Sequence, residues 1–276
     1  MKDIIELREE IRAIDEQMAE LFVRRMEVAG GVAEYKMAHG LAVEDLAQER
    51  HVIESRSVLV ENDTLRPFYV QFLQDVMDVC KSWQRCIMHG QKIAFCAVKD
   101  DTAEAAVQKL FPDGVSVECA SYAEAYHAVE TGECDAAVLP FEVSYAGEVG
   151  RVLDLIFEGN LYINDVCEIR ADEDRTRYVV MSRAANKLAD ADSDTAILVM
   201  FTVKDEIGSL AKAINVISAY GFNMSVMRSR PMSDLPWHYY FYAEMFGSDQ
   251  ADSGEKMMNA LRAICPTVKV AGRYKV

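Results

Sequence analysis

No stretch of the 276 residues approaches the ~18–20 consecutive apolar residues that a membrane-spanning helix requires. The opening MKDIIELREE mixes charges with aliphatics and lacks the unbroken apolar core of an export signal, so the expectation is a soluble protein of the cytoplasm. Basic residues are scarce beside acidic ones: 29 Lys and Arg against 45 Asp and Glu leave a net charge of −16, which argues against a nucleic-acid partner. No Cys-x-x-Cys pair exists. The seven cysteines, at 80, 86, 96, 119, 134, 167 and 265, are odd in number and scattered, and read as reduced thiols. The five histidines show no His-Glu-x-x-His or mixed His/Cys spacing, so neither a metal nor another cofactor is expected. Repeats and low-complexity tracts are missing too. What is present is a 51% apolar fraction, ample for packed cores, in a chain long enough for two or three domains.

Apolar residues recur at Ile4, Leu7, Ile11, Ile14, Met18 and Leu21, then at Val28, Val32 and Tyr35. Alternating spacings of three and four predict one amphipathic helix from an Asp3 cap to a stop at Gly40, ~50 Å long at ~1.5 Å per residue. A domain of this size cannot bury such a seam alone, so partner helices are required, most simply from a second copy of the chain. Two more helices are predicted at 44–60 and 65–88, with Asn62, Asp63 and Thr64 as cap candidates and Pro67 in the first turn of the second. Residues 1–88 therefore read as all-helical.

From Gly90 the texture changes. The runs KIAF, VSVECA, DAAVLPF, LYINDVCEI and RYVVMS alternate with helical stretches, predicting an α/β lobe over 90–183. The small polar stretch AANKLADADSD, 184–194, reads as a linker. After it, TAILVMFTV, GSLAKAINVISAY, FNMSVMRSR, WHYYFYAEM, GEKMMNALRAIC and TVKVAGRYKV spell strand, helix, strand, strand, helix, strand. That is the ferredoxin-like βαββαβ plan, over 195–276.

The first helix also carries chemistry. Continuing its seam past Leu21 lands on Arg25, and eleven residues on, at ~100° per residue, Lys36 returns to within about 20° of the same face. Two cations thus look into one interior. Arg8 lies about 100° away around the helix and more easily serves a neighbouring helix. Asp45 and Glu49, at i and i+4 on the second helix, are the available counter-charges. Either a bound dianion meets the cations, or they snorkel to the bundle's edge and pair with these carboxylates.

LREEIRAIDEQMAELFVRR followed by Lys36, by Asp45 and Glu49, and by CKSWQ resembles, in order and spacing, the helical chorismate mutase domain of bifunctional chorismate mutase/prephenate dehydratases. The resemblance implies an intertwined dimer in which Arg8 of one chain completes a pocket made by Arg25, Lys36, Asp45, Glu49, Cys80 and Gln84 of the other. Rearranging chorismate to prephenate is pericyclic and needs no nucleophile, base or metal. It needs two carboxylates held in a compact conformer and donors for charge growing on the ether oxygen. The arginines suit the carboxylates, Lys36 and Gln84 the ether oxygen, and Glu49 the substrate hydroxyl. Two departures stand out: Gln48 replaces the arginine of the family's D-x-x-R-E, and Cys80 replaces a frequent serine.

DAAVLPFEVSYAGEVGRVLDLI and Thr176-Arg177-Tyr178 resemble the strand-turn-helix and Thr-Arg-Phe patterns of the prephenate dehydratase domain, which point to Glu142, Ser144, Thr176 and Arg177. That domain has two lobes with a cleft between them. Here LYINDVCEI runs directly into RADEDRTRY with no room for the second lobe. The family's Gly-x-x-Gly-Thr-Tyr region reads CAVKDDTAEA, and its Glu-Asn-Ser reads Glu142-Val143-Ser144. A cleft without one wall cannot exclude water, so the expectation is a lobe without dehydratase activity.

Gly208-Ser209-Leu210 and Asn223 through Ser229-Arg230-Pro231 resemble the ACT regulatory domain of the same enzymes, which implies binding of phenylalanine or a related amino acid between paired domains. Arg228 stands where that family has a glutamate. The combined expectation is a homodimeric or larger chorismate mutase with amino-acid regulation. Its rivals are a fully bifunctional enzyme releasing phenylpyruvate and a non-catalytic amino-acid sensor.

Overall fold

The computed structural model describes residues 2–97, 102–185, 195–232, 235–247 and 251–275, in two compact units, Met1–Gln91 and Lys92–Val276. The first unit is helical. α1 runs Ile4–His39, and its start is fixed by a reciprocal cap. The Asp3 carboxylate accepts from the Ile5 and Glu6 amides at 2.8 Å each, while the Glu6 carboxylate accepts from the Asp3 amide at 3.1 Å. Gly40 closes the helix in the left-handed conformation at φ 62°, which a side chain disfavours. Within the chain only Ala29, Gly30 and Ala33 of α1 are buried, whereas every residue from 2 to 25 is exposed. The seam Ile4, Leu7, Ile11, Ile14, Met18, Leu21 is therefore unpartnered within one chain.

α2 (Leu46–Ser57) and α3 (Arg66–His89) complete this unit, each near its expected place. The cap of α3 is a correction. No side chain caps it; Asn62 instead accepts from the Thr64 and Leu65 amides at 2.9 and 3.3 Å, forming a turn, and Asp63 pairs with Arg66 at 2.6 Å. α3 packs on α1 and α2 and buries Cys80 and Gln84.

The second unit is built on one ten-stranded mixed sheet. In chain order its elements are β1 (Lys92–Phe95), α4 (Thr102–Leu110), β2 (Val115–Glu118), α5 (Tyr122–Glu130), β3 (Ala136–Val143), β4 (Gly147–Glu148), α6 (Gly150–Glu158), β5 (Tyr162–Ala171), β6 (Asp174–Ser182), β7 (Thr195–Thr202), α7 (Ser209–Ala219), β8 (Asn223–Pro231), β9 (Tyr239–Phe246), α8 (Ala251–Ile264) and β10 (Val268–Lys275). The strand order is β2-β1-β3-β6-β5-β10-β7-β9-β8, with β4 on β3. β5 and β6 form a direct hairpin, turned at Asp172 with φ 54°.

The segments 90–183 and 195–276 thus share one sheet, joined where β10 runs parallel to β5 at Gly272 and Ile163. Glycine is required there, because a Cβ on residue 272 would lie 2.1 Å from the Ile163 carbonyl oxygen. Strand alternation distributes the cores. Leu198 and Met200 of β7 join Leu153 and Ile156 of α6 and Tyr274 of β10 in one cluster, whereas Val199 and Phe201 face Ile217 of α7 and Leu261 of α8 in another. A third cluster sets Ala106 and Val107 of α4 against Ile93, Phe95 and Tyr178. Most of the expected linker, 186–194, lies outside the described residues, as do residues 98–101 of the CAVKDDTAEA stretch. No described helix is long and apolar enough to cross a membrane.

Candidate active site

α1 delivers both expected cations to α3. One guanidinium nitrogen of Arg25 donates to Cys80 Sγ and, at 3.4 Å, to the Val76 carbonyl. Lys36 Nζ donates to Gln84 Oε1 at 3.2 Å and to the Val43 carbonyl at 2.7 Å. Cys80 and Gln84, one helical turn apart, are 5% and 8% exposed, so the cations meet a buried polar edge of α3. Neither pairs with Asp45 or Glu49, although Arg25 itself is exposed within one chain. Asp45 caps α2, accepting from the Gln48 amide at 2.9 Å.

Glu49 is held from a direction that sequence reasoning missed. Its Oε2 accepts from Lys81 Nζ at 3.0 Å, and its Oε1 is buried with no hydrogen-bond partner. Lys81 also pairs with Asp78 at 2.8 Å. Burial alone would lower the Lys81 pKa, but the bonds to Asp78 and Glu49 prevail and raise it, so the side chain is a cation. The only sequence signal was position: Lys81 precedes Gln84 by three residues and shares its side of α3. Arg8, on the exposed stretch of α1, stands outside this cluster.

The residues expected from the dehydratase pattern are tied up in the second unit. Arg177 Nη2 donates to Glu244 Oε2 at 2.6 Å, and its other nitrogen lies 3.9 Å from Glu142. Glu142 is also 3.5 Å from Arg228, which pairs with Glu148 at 3.1 Å. Glu244, 5% exposed, further accepts from Tyr274 at 2.7 Å and Ser225 at 3.2 Å. Ser144 accepts the Arg175 amide at 3.0 Å, a turn contact, and Thr176 is 6% exposed within β6 between Val143 and Ile169. The hydroxyl and charges of the pattern are present but serve the packing between β3, β6 and the last four strands.

Of the expected effector-binding residues, Gly208 takes φ 79° just before α7, and Ser209 and Leu210 form its first turn. Asn223 opens the edge strand β8, and Ser229 is exposed further along it. Arg230 is engaged internally: it grips Asp154 of α6 with two nitrogens, at 3.0 and 3.1 Å, and donates to Tyr240 at 3.1 Å. Burial, together with the Asp154 carboxylate that it donates to, pushes the Tyr240 hydroxyl far above its ordinary range.

Comparison with known proteins agrees with this layout. The family profile of type II chorismate mutases matches residues 7–85, and that of prephenate dehydratases matches residues 102–174. The bifunctional chorismate mutase/prephenate dehydratase of Aquifex aeolicus is 22% identical, covering 99% of this chain and 98% of its own length over 366 aligned positions, against 276 residues here. Among solved structures, the Arthrobacter aurescens prephenate dehydratase in complex with L-Phe superposes with a TM-score of 0.59 at 18% identity, over 67% of this chain and 90% of its own. A quorum-quenching acylase, GqqA, superposes equally well at 0.59 and 23% identity, over 67% of this chain and 95% of its own, so the fold alone does not fix the chemistry. In sequence the chain is thus similar, over nearly its whole length, to the longer bifunctional chorismate mutase/prephenate dehydratases, with the type II chorismate mutase match confined to residues 7–85.

Proposed function

We propose that the helical unit converts chorismate to prephenate in aromatic amino-acid biosynthesis. The observation that carries this reading is the convergence of Arg25 and Lys36 on the buried Cys80–Gln84 edge of α3, beside a carboxylate with one bare buried oxygen. Arg25 binds a substrate carboxylate, and Lys36 and Gln84 meet the ether oxygen where charge develops. Arg8 enters from a second copy. The exposed seam of α1 supports that dimer, since burying each large aliphatic of the seam contributes roughly 1.5–3 kcal/mol. The test is a neutral-pH time course of the purified chain with chorismate, resolving chorismate, prephenate and phenylpyruvate by NMR against a no-enzyme control. Prephenate accumulating in step with chorismate loss is expected. Acid must be avoided because it dehydrates prephenate unaided.

The α/β segment carries no dehydratase activity in this reading. Arg177 and Glu142 are engaged in ion pairs and Thr176 is closed within the sheet. Thr176→Ala is accordingly expected to leave the rate of prephenate formation within twofold of the parent and to alter no phenylpyruvate signal. Phenylpyruvate formed above the control by the parent and lost in this variant would instead establish the bifunctional enzyme.

Residues 195–276 act as an ACT regulatory domain for phenylalanine or a related amino acid. The βαββαβ element order and the β10-β7-β9-β8 sheet order support this, as does the L-Phe complex of the Arthrobacter relative. The first turn of α7, which no side chain caps, suits the ligand's carboxylate and Asn223 its polar groups. Calorimetry with phenylalanine is expected to show binding that Asn223→Ala weakens about tenfold, the worth of a hydrogen bond of ~1.4 kcal/mol. Unchanged affinity in that variant would move the site elsewhere.

A further inference from the structure

Lys81 lies at the centre of a contact that the catalytic reading leaves unexplained. Its side chain is 18% exposed, that of Glu49 is 23% exposed, and their atoms meet at 3.0 Å between α3 and α2. The two oxygens of Glu49 are treated differently: Oε2 holds the ammonium, while Oε1 is buried and unpartnered. A buried acceptor left bare is costly, and in a folded protein such an atom calls for an explanation, which a ligand's donor would supply. α2 has a glutamine, Gln48, immediately before this carboxylate, so the nearby cation comes from α3 instead.

We propose that Lys81 is a positioning residue of the chorismate site: it fixes the Glu49 carboxylate through Oε2 so that Oε1 is presented, free of other partners, to the hydroxyl of the substrate. This rests on the chorismate mutase reading above. Lys81 reaches the substrate only through Glu49. An ammonium shared with Asp78 limits the carboxylate to one rotamer, and a carboxylate so held loses little freedom when the hydroxyl donates to it. The same ammonium also offsets the repulsion between Glu49 and the negative charge that grows on the ether oxygen nearby.

The test compares the full chain with its Lys81→Met, Lys81→Arg, Glu49→Gln and Lys81→Met/Glu49→Gln variants in chorismate turnover, with a thermal melt of each. Lys81→Met is expected to lower kcat/KM about ten- to a hundredfold, and Lys81→Arg, which keeps the charge and the reach, to restore most of that loss. In the Glu49→Gln background the lysine substitution is expected to cost less than about threefold, because its partner has already gone. Equal losses in both backgrounds, or a loss that follows a fallen melting temperature and that arginine does not recover, would overturn the positioning role. A parent chain that turns over chorismate no faster than Lys81→Met would overturn it while leaving the mutase reading intact. A parent chain that does not consume chorismate at all removes both.

Discussion

Arg25→Ala and Lys36→Ala are each expected to lower chorismate turnover about a hundred- to a thousandfold, the usual cost of deleting one preorganised donor from a site that stabilises developing charge. The two losses should differ in kind. In the proposed site Arg25 contacts the ground state as well as the transition state, so its removal should raise KM and lower kcat together. Lys36, held by Gln84 and by the Val43 carbonyl, is proposed to meet an ether oxygen whose charge grows only as the bond breaks, so its loss should fall mainly on kcat. Neither substitution should unfold the unit. Arg25 is exposed within one chain, and Lys36 is only half-buried. Steady-state kinetics on each variant, beside circular dichroism of the helices, separates these outcomes, and near-normal turnover in either variant would remove the site assignment.

Glu244→Ala is expected to destabilise the second unit by roughly 3 kcal/mol, because it leaves a half-buried guanidinium with only the more distant Glu142, 3.9 Å away, as counter-charge. Glu244 is the nearest ion-pair partner of Arg177 among the described residues, and it also receives the Tyr274 hydroxyl, on a side chain 1% exposed, and that of Ser225. Burial works against the charged form of Arg177, yet the bond to Glu244 outweighs it and holds the guanidinium above its ordinary pKa. Replacing both partners, Glu244→Met with Arg177→Met, should recover much of the loss, since an apolar pair leaves no orphaned charge. Hydrogen exchange of the β9 and β10 amides reads this unit directly. Protection factors unchanged in Glu244→Ala would mean that the pair contributes nothing to holding the strands.

These two predictions draw on parts of the molecule that differ in how far the sequence exposed them. α1 was legible from end to end, because its cap, its seam and its terminating glycine are all local signals, and the return of Lys36 to the face of Arg25 follows from helical pitch alone. The βαββαβ order of the last six elements was legible for the same reason. Partnerships across long separations were not. Arg177 and Glu244 are 67 positions apart, and Arg230 and Asp154 are 76 apart, so nothing in either neighbourhood announces the other. Lys81 on a helix reads as a solvated surface charge until α2 is seen beside it. The single sheet was hidden likewise: alternation reveals which face of a strand is buried, but not which edge it joins, and β5 and β10 meet through backbone at one glycine.

That meeting has a consequence for how the chain comes to be folded during synthesis. β10 lies between β5 and β7 in the finished sheet, yet it leaves the ribosome after every other strand described. Until it arrives, β5 and β7 each present an open edge, with Leu198, Met200 and Ile156 still lacking Tyr274 beside them. The second unit therefore completes its core late and through contacts of long sequence separation, a route that is slow and leaves sticky intermediates waiting. The internal contacts of the helical unit, by contrast, need nothing beyond residue 91, and what it still awaits is a second copy to cover the exposed seam of α1.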